Sequence, residues 1–225
     1  MEIVLIRHGE PEWVRDGLNV SNPPLTERGH HQASAMADYL RDEHFDEVFC
    51  SPLLRARQTA APLFEVFGRP EQVDPWLEEI RDPDWHGTPQ ERAQAAYQAQ
   101  RDSTSHERWG GLEGGEPISE FVERIRLGCM LFLEERGITR LPGELPMWHI
   151  PEPDRSIAFV AHAGTNSVII CTLLGIAPTP WEWDRFVIAH ASVNRLSTMA
   201  MADGHTFSLT ALSDNEFLAR ADRTR

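Results

Sequence analysis

The stretch that decides the fold is MEIVLIRHGEPEW, residues 1–13. Residues 2–6, EIVLI, are nearly all apolar, which is typical of a strand buried on both faces of a parallel sheet. The strand ends directly on Arg7, His8, Gly9 and Glu10. Any strand must leave the core through polar residues, so this ending alone establishes no site. The sharper interpretation is that the strand delivers a cation and a nucleophile to the edge of a sheet.

Further predicted strands alternate with helices along the chain. Strands are predicted at 46–51 and 155–164, a short strand or extended segment at 72–80, and two late strands, RLSTMAM and HTFSLTAL, joined by a turn at Asp203-Gly204. One helix follows the N-cap Thr26, a second runs from Pro52 to Gly68 with an expected kink or break at Pro62, and a third closes at Gly175. This alternation predicts an α/β fold with a doubly wound, mainly parallel sheet flanked by helices.

The stretch 81–155 differs in composition from its surroundings. It is rich in proline, contains GGLEGG at 110–115, and includes two predicted helices at about 90–102 and 118–136. We interpret residues 1–225 as a single domain in which 81–155 is an insertion. The insertion is expected to form a cap over the carboxyl ends of the strands.

Composition excludes several classes of protein. The net charge of −14 argues against nucleic acid or an anionic membrane as a partner, so arginines that bind an anion must act locally. No run approaches the roughly 20 apolar residues of a membrane helix, and residues 1–6 do not resemble a signal peptide. Cys50, Cys129 and Cys171 have no metal-ligand spacing, which indicates buried thiols and a cytoplasmic protein.

Charged side chains follow each predicted strand. Ligands of open α/β sheets bind beyond the carboxyl ends of the strands, where parallel strands would gather these groups on one rim. Each residue alone has a structural explanation, as a strand end, a helix cap or a solvated surface group. Together they suit an anionic, phosphate-like substrate. The groups are Arg7, His8, Gly9 and Glu10, then Ser51 with Arg55 and Arg57, then Glu78 and Glu79, and finally His162, Ala163 and Gly164.

An ordered series of motifs resembles the histidine phosphatase superfamily, the phosphoglycerate mutase-like proteins. The series runs from about residue 2 to residue 175. RHGE at 7–10 resembles the namesake motif, and FVAHAGT at 159–165 resembles the second histidine motif. Between them stand LTERGHHQA at 25–33, SPLLRARQTA at 51–60, LEEIRDPDWHG at 77–87 and GGEPISEFVERI at 114–125.

The resemblance implies a phosphoryl-transfer site. It implies that His8 is a nucleophile that forms a phosphohistidine and that Glu79 is the acid and base. Arg7, Gly9, Arg55 and His162 would bind the phosphate, with no cofactor and no metal. Glu78, Asp82 and Asp84 are alternative candidates for the role of Glu79. The alignment of SPLLRARQTA with the corresponding family motif favours Arg55 over Arg57 as the phosphate-binding arginine.

The expected activity is hydrolysis of a small phosphate ester. Family mutases carry small polar and asparagine residues after RHGE, whereas this chain has Pro11 and Val14, which favours a hydrolase. A mutase, and a non-catalytic phosphate-binding scaffold, stay open as alternatives. Substrate contacts are sought in the insertion at Trp85, His86, Trp109, Trp148 and His149, although tryptophans there more often pack the insertion onto the body. The natural substrate and the oligomeric state stay unspecified.

Overall fold

The computed structural model describes residues 1–225 and contains nine strands and six α-helices. The strands are β1 (Glu2–Arg7), β2 (Val14–Arg15), β3 (Leu18–Asn19), β4 (Glu47–Cys50), β5 (Thr139–Arg140), β6 (Trp148–His149), β7 (Ser156–Ala161), β8 (Val193–Met201) and β9 (Gly204–Asp214). The helices are α1 (Glu27–Leu40), α2 (Leu54–Val66), α3 (Gln90–Asp102), α4 (Ile118–Glu134), α5 (Ala163–Leu174) and α6 (Glu182–Arg185). No helix combines the length and the apolar composition needed to cross a membrane.

Seven strands form one sheet in the order β4-β7-β1-β8-β9-β6-β5. β4, β7 and β1 are parallel, as predicted, while β8 pairs antiparallel with both β1 and β9. The short strands β6 and β5 extend the antiparallel edge. The sheet is therefore mixed, because a tight turn at Asp203-Gly204 joins β8 directly to β9 and such a connection can only make an antiparallel pair.

Helices cover both faces of the sheet, which explains why β1 is apolar throughout. Ile3 and Leu5 pack with α4 and α5 on one face. Val4 and Ile6 pack with α1 and α2 on the other face. Successive side chains of a strand point to opposite faces, so a strand covered on both sides needs apolar residues at every position. The predicted α/β fold is confirmed.

Several predicted boundaries match the structure closely. The Thr26 hydroxyl accepts a hydrogen bond from the Gly29 amide at 3.0 Å and so caps α1. α2 contains Pro62 and continues to Val66 as one helix, so the alternative of a break at Pro62 is wrong. Gly175 ends α5 in the left-handed conformation, with φ 67°. Helices α3 and α4 lie where the insertion was expected to contain them.

The segment 72–80 is not a strand of the sheet. Its only pairing is a single bridge between Val73 and Cys50, after which Pro75–Leu77 form a 3-10 turn. Pro75 lacks the amide hydrogen that a strand ladder requires, and it starts the turn instead. The prediction of an extended segment is confirmed for the residues that follow the turn. Glu79 therefore comes after a 3-10 turn rather than after a strand.

Candidate active site

A cavity of about 420 Å³ opens beside the carboxyl end of β1. Its size falls in the range of small-molecule sites. Side chains from the first strand, from α2, from the loop after the 3-10 turn and from the insertion line it. The predicted residues among them are Arg7, His8, Arg55 and Glu79, while Gly9 and His162 lie behind the lining residues.

The ring of His8 is held in one tautomer. His8 Nδ1 lies 2.7 Å from the carbonyl oxygen of Gly9, which can only accept, so the proton resides on Nδ1. The lone pair on Nε2 therefore faces the cavity, where Arg55 Nε donates to it at a long 3.3 Å. Burial, and then the charge of Arg55, holds the pKa of His8 well below 6.5. His8 is thus a neutral imidazole whose Nε2 is unprotonated and has only the long contact with Arg55.

Glycine is required where the RHGE turn crosses the start of α1. A Cβ at Gly9 would lie 2.6 Å from the carbonyl oxygen of Gly29. A Cβ at Gly29 would lie 2.2 Å from the carbonyl oxygen of Glu10. The amide of Gly9 donates to Thr59 Oγ1 at 2.9 Å, which ties the turn to α2. This close approach fixes the backbone that carries His8 and its Gly9 acceptor.

Arg55 is buried and Arg7 is half-buried, and neither has a carboxylate partner. Neither has a carboxylate oxygen within 4.0 Å, although both sense the charge of Glu79. Arg7 donates to the carbonyl of Ile188 at 2.6 Å, and its buried Nε has no hydrogen-bond partner. Arg55 lies 4.8 Å from the Trp13 ring centre. Burial lowers the pKa of each arginine to about 10, so both remain cationic near neutral pH and free for an anion.

His190 belongs to the same cluster, and sequence reasoning missed it. Its ring lies 5.6 Å from that of His8, and Arg7 donates to its Nε2 at 2.9 Å. Its Nδ1 lies 2.9 Å from Thr224 Oγ1, a contact in which the imidazole N–H donates. Burial lowers the pKa of His190 to about 3, which keeps the ring neutral. Only its position three residues before strand β8 distinguishes it in the sequence, and the sequence did not indicate β8 as a strand that carries site residues.

His162 is fully buried between β7 and α5. Its ring centre lies 5.1 Å from that of His8, and its Nε2 lies 2.7 Å from Ser51 Oγ. Its Nδ1 has no hydrogen-bond partner. Burial, followed by the charge of Arg55, lowers the pKa of His162 well below 6.5. The ring is therefore neutral, with Ser51 fixing one nitrogen.

The Glu79 carboxylate is held at the cavity wall by backbone amides. Its Oε2 accepts from the Gly164 amide at 2.9 Å, and its Oε1 accepts from its neighbour Ile80 at 3.0 Å. Desolvation nevertheless raises its pKa above 4.5, against the lowering effect of those amides and of Arg55 and Arg7. Of the acidic residues near the site, Glu79 alone combines this raised pKa with contact to the α5 amide.

The rival carboxylates have other partners. Glu78 forms an ion pair with Arg81 at 2.6 Å. Asp84 is exposed and accepts from Ser21 at 3.0 Å. Asp82 lines the cavity but accepts from the Tyr97 hydroxyl at 2.6 Å, and burial raises its pKa.

The insertion contributes other residues to the cavity than those expected. Trp148 is fully buried in the core, where its indole lies 3.3 Å from the carbonyl of Leu173, so its expectation as a substrate contact is wrong. His86, Trp109 and His149 do not line the cavity, and Trp85 lines an adjoining one of about 740 Å³. The insertion residues that do line it are Arg81, Asp82, Tyr97, Gln100, Arg101, Arg108, Leu112 and Glu116.

Known proteins that are similar to this chain include phosphatases and phosphoglycerate mutase-like proteins. An adenosylcobalamin/alpha-ribazole phosphatase of Salmonella typhimurium is 31% identical over 192 residues, which cover 81% of this chain and 85% of that protein. A probable phosphoglycerate mutase of Erwinia tasmaniensis is 27% identical over 183 residues, covering 78% and 76%. The solved mycobacterial glucosyl-3-phosphoglycerate phosphatase with VO3 has a TM-score of 0.71 at 25% identity, covering 95% of this chain and 99% of that one.

The family model of the histidine phosphatase superfamily, branch 1, matches residues 3–212, nearly the whole chain. That match includes the RHGE strand end, the Arg55 helix, the Glu79 loop and the His162 motif. The resemblance inferred from the motifs is therefore confirmed at the level of the family. This chain belongs to the histidine phosphatase superfamily, branch 1.

Proposed function

We propose that this protein is a metal-independent phosphomonoesterase that hydrolyses a small phosphate ester through a phosphohistidine on His8. The observation that carries the proposal is the His8 tautomer. Hydrogen bonding to Gly9 leaves Nε2 unprotonated, in contact with Arg55 and in a cavity that Arg7 also lines, and neither arginine has a carboxylate partner. An imidazole in this state is a competent nucleophile.

In the first half-reaction, His8 Nε2 attacks phosphorus. The Nε2–P bond forms as the P–O bond to the leaving group breaks, and the departing oxygen takes the proton of Glu79. The raised pKa of Glu79, together with the negative charge of the bound phosphate, favours its protonated form before attack. This step leaves phosphohistidine, ionised Glu79 and the free alcohol.

In the second half-reaction, Glu79 takes a proton from water as the water oxygen attacks phosphorus. The Nε2–P bond breaks, inorganic phosphate forms, and His8 returns to its neutral tautomer. Arg7 and Arg55 would bind the non-bridging oxygens in both steps, through bonds that matter most as charge develops. His162 would be a further donor to the phosphate: with Ser51 donating to its Nε2, its proton is on Nδ1, which has no partner within the protein.

A mutase and a phosphate-binding scaffold are the competing functions. Pro11 and Val14 stand where mutases of the family carry hydrogen-bonding side chains, which supports hydrolysis. A scaffold that only binds phosphate needs the arginines. It does not need the neutral imidazole of His8 together with the raised pKa of the Glu79 carboxyl. We also propose one domain over 1–225 with an insertion at 81–155, a cytoplasmic location, and no nucleic-acid or membrane partner.

The test is phosphate release from para-nitrophenyl phosphate with a chelator present, for wild type beside His8→Ala. We expect release by the wild type alone, and a phosphorus NMR signal of phosphohistidine in the denatured, base-quenched enzyme. Turnover by His8→Ala, or activity that the chelator abolishes, would contradict the proposal. An isomerised phosphoester without net phosphate release would identify a mutase, and binding without turnover would identify a scaffold.

A further inference from the structure

Arg7 and Glu10 belong to the same RHGE turn, and a ring of three polar side chains connects them. The Arg7 guanidinium lies 2.9 Å from His190 Nε2, and His190 Nδ1 lies 2.9 Å from Thr224 Oγ1. Gln32 Nε2 lies 2.9 Å from the same hydroxyl, and Gln32 Oε1 lies 2.7 Å from the Glu10 amide nitrogen. The contacts therefore leave the turn at the side chain of Arg7 and return to it at the main chain of Glu10.

The orientation of the Gln32 amide is fixed from two sides. The Glu10 amide can only donate, so the Gln32 atom that faces it is the oxygen. The main-chain oxygen of Asp222 can only accept, so the Gln32 nitrogen faces it, at 2.6 Å. Gln32 is fully buried, which makes either contact costly to lose. The same nitrogen therefore donates its second proton to Thr224 Oγ1.

The tautomer of His190 is fixed from the side of Arg7. A guanidinium has no acceptor, so His190 Nε2 must accept from it, and the proton of the neutral ring is then on Nδ1. Nδ1 therefore donates to Thr224 Oγ1. His190 is only 4% exposed, so a protonated Nδ1 without this acceptor would be desolvated and unpaired.

Two donors converge on the Thr224 hydroxyl. A hydroxyl oxygen has two lone pairs, and the donors of Gln32 and His190 use both of them. The main chain places this hydroxyl beside the imidazole, because the carbonyl oxygen of Thr224 accepts from the amide of His190 at 3.1 Å. Valine would fill the same space as threonine but offers no lone pair, whereas serine offers both.

We propose that Thr224 is a positioning residue for phosphate binding: it accepts the Nδ1 proton of His190, which leaves Nε2 as the acceptor that orients Arg7. Without the hydroxyl, the ring gains by moving its proton to Nε2, where the proton would face the Arg7 donor. The guanidinium would then lose its fixed orientation in the cavity and bind an anion less tightly. This role rests on the proposed function, since the anion that Arg7 binds is taken to be phosphate.

Calorimetric binding of inorganic phosphate tests this role without turnover. A double-mutant cycle compares wild type, Thr224→Val, His190→Ala and the combination of the two substitutions. Thr224→Ser keeps the hydroxyl and serves as the conservative variant. Thr206→Val is the matched control, because Thr206 is also half-buried, donates its hydroxyl to the carbonyl of Pro146 at 3.4 Å and does not line the cavity.

We expect Thr224→Val to raise the dissociation constant of phosphate about threefold, within the range for one neutral hydrogen bond. In the His190→Ala background the same substitution should change nothing, because no imidazole is left to orient. Thr224→Ser and Thr206→Val should bind phosphate as wild type does. A loss that persists in the His190→Ala background, no loss in Thr224→Val, or a wild type that does not bind phosphate would overturn the role of Thr224.

Nuclear magnetic resonance of isotope-labelled histidine near neutral pH observes the tautomer directly. Long-range proton–nitrogen correlations distinguish Nδ1–H from Nε2–H, and the spectrum of His190→Gln identifies the His190 signals. We expect Nδ1–H in wild type and Thr224→Ser, with the Nε2–H form appearing in Thr224→Val. A Thr224→Val protein that keeps only Nδ1–H would overturn the role even if its phosphate binding is weaker. Absence of turnover with the tautomer and the binding cycle as expected would reject the phosphatase mechanism while retaining the role of Thr224.

Discussion

His190 Nε2 accepts a hydrogen bond from Arg7 at 2.9 Å, while its Nδ1 lies 2.9 Å from the Thr224 hydroxyl. A carboxylate at this position would hold the guanidinium equally well but would cancel its charge. A neutral imidazole orients Arg7 and leaves the full positive charge for an anion in the cavity. Thr224 in turn accepts from Gln32 at 2.9 Å, and Gln32 accepts from the Glu10 amide at 2.7 Å. The network connects the site to residues near both ends of the chain.

Replacement of His190 should weaken phosphate binding more than it slows chemistry. His190→Ala removes the acceptor of a buried Arg7 donor, a change that costs about 1–3 kcal/mol. We expect KM for an aryl phosphate, and the dissociation constant of inorganic phosphate, to rise at least about fivefold, with a smaller change in kcat. His190→Gln should restore much of the binding, because its amide oxygen can accept from Arg7. A merely structural role for His190 would instead lower the amount of folded enzyme and leave KM unchanged.

The low pKa of His190 makes stability depend on pH. Its pKa falls from 6.5 in the unfolded chain to about 3 in the folded protein, so protons favour unfolding. Above pH 6.5 His190 is neutral in both states and does not reduce the free energy of unfolding. As the pH falls from 6.5 toward 3, the unfolded chain binds a proton that the folded protein does not, and the free energy of unfolding declines. Between pH 7 and pH 5 the loss from this group is about 2 kcal/mol.

Urea denaturation at pH 7 and pH 5 measures this effect. The loss of unfolding free energy on acidification should be about 2 kcal/mol smaller in His190→Gln than in wild type. His31→Gln is the control, because His31 is exposed on α1 and should leave the loss unchanged. Equal losses in wild type and His190→Gln would show that His190 is not held neutral.

Glu79→Gln should discriminate between leaving groups. An amide keeps one of the two backbone bonds, because only its oxygen can accept, and it cannot act as a general acid. Phosphorylation of His8 should therefore slow about 100-fold for an alkyl phosphate that needs an acid. The first step with para-nitrophenyl phosphate should change little, since its leaving group departs as an anion. Rapid-quench measurement of phosphohistidine formation separates that step from hydrolysis. Glu78→Gln is the control, and a loss there equal to that of Glu79→Gln would transfer the acid role.

The sequence was most informative where one physical requirement acts on one residue. Burial on both faces demands the apolar run 2–6, so this strand could be predicted from the sequence. Gly9 was predicted for its approach to a phosphate, and its close contact with the carbonyl oxygen of Gly29 became apparent only in the structure. Glu79 was predicted from its motif alone, because the strand expected before it is a 3-10 turn that starts at Pro75. His190 escaped because its role depends on Arg7 and Thr224, which are far away in sequence. Arg101 and Arg108 were missed because arginines in the last turn of a helix or in a short 3-10 turn are ordinarily surface residues, and only the fold brings them to the cavity.

Gly164→Ala should damage the acid without damaging the fold. A Cβ at Gly164 would lie 2.5 Å from Glu79 Oε1, so the carboxylate must move. The Gly164 backbone is helical, where alanine is favoured over glycine by about 1 kcal/mol, so Tm should stay within a few degrees of wild type. We expect kcat for an alkyl phosphate to fall about tenfold, since the general acid contributes about 100-fold or more when correctly placed.

The matched comparison for Gly164→Ala is Gly29→Ala. The Cβ introduced at Gly29 would meet the main-chain carbonyl oxygen of Glu10 at 2.2 Å, and backbone cannot swing aside as a carboxylate can. Gly29→Ala should therefore lower Tm and the yield of folded protein together with activity on every substrate. Gly164→Ala should spare para-nitrophenyl phosphate in the phosphorylation step. A Gly164→Ala enzyme that processes both classes of ester at the wild-type rate would mean that Glu79 does not act from the position where the α5 amide holds it.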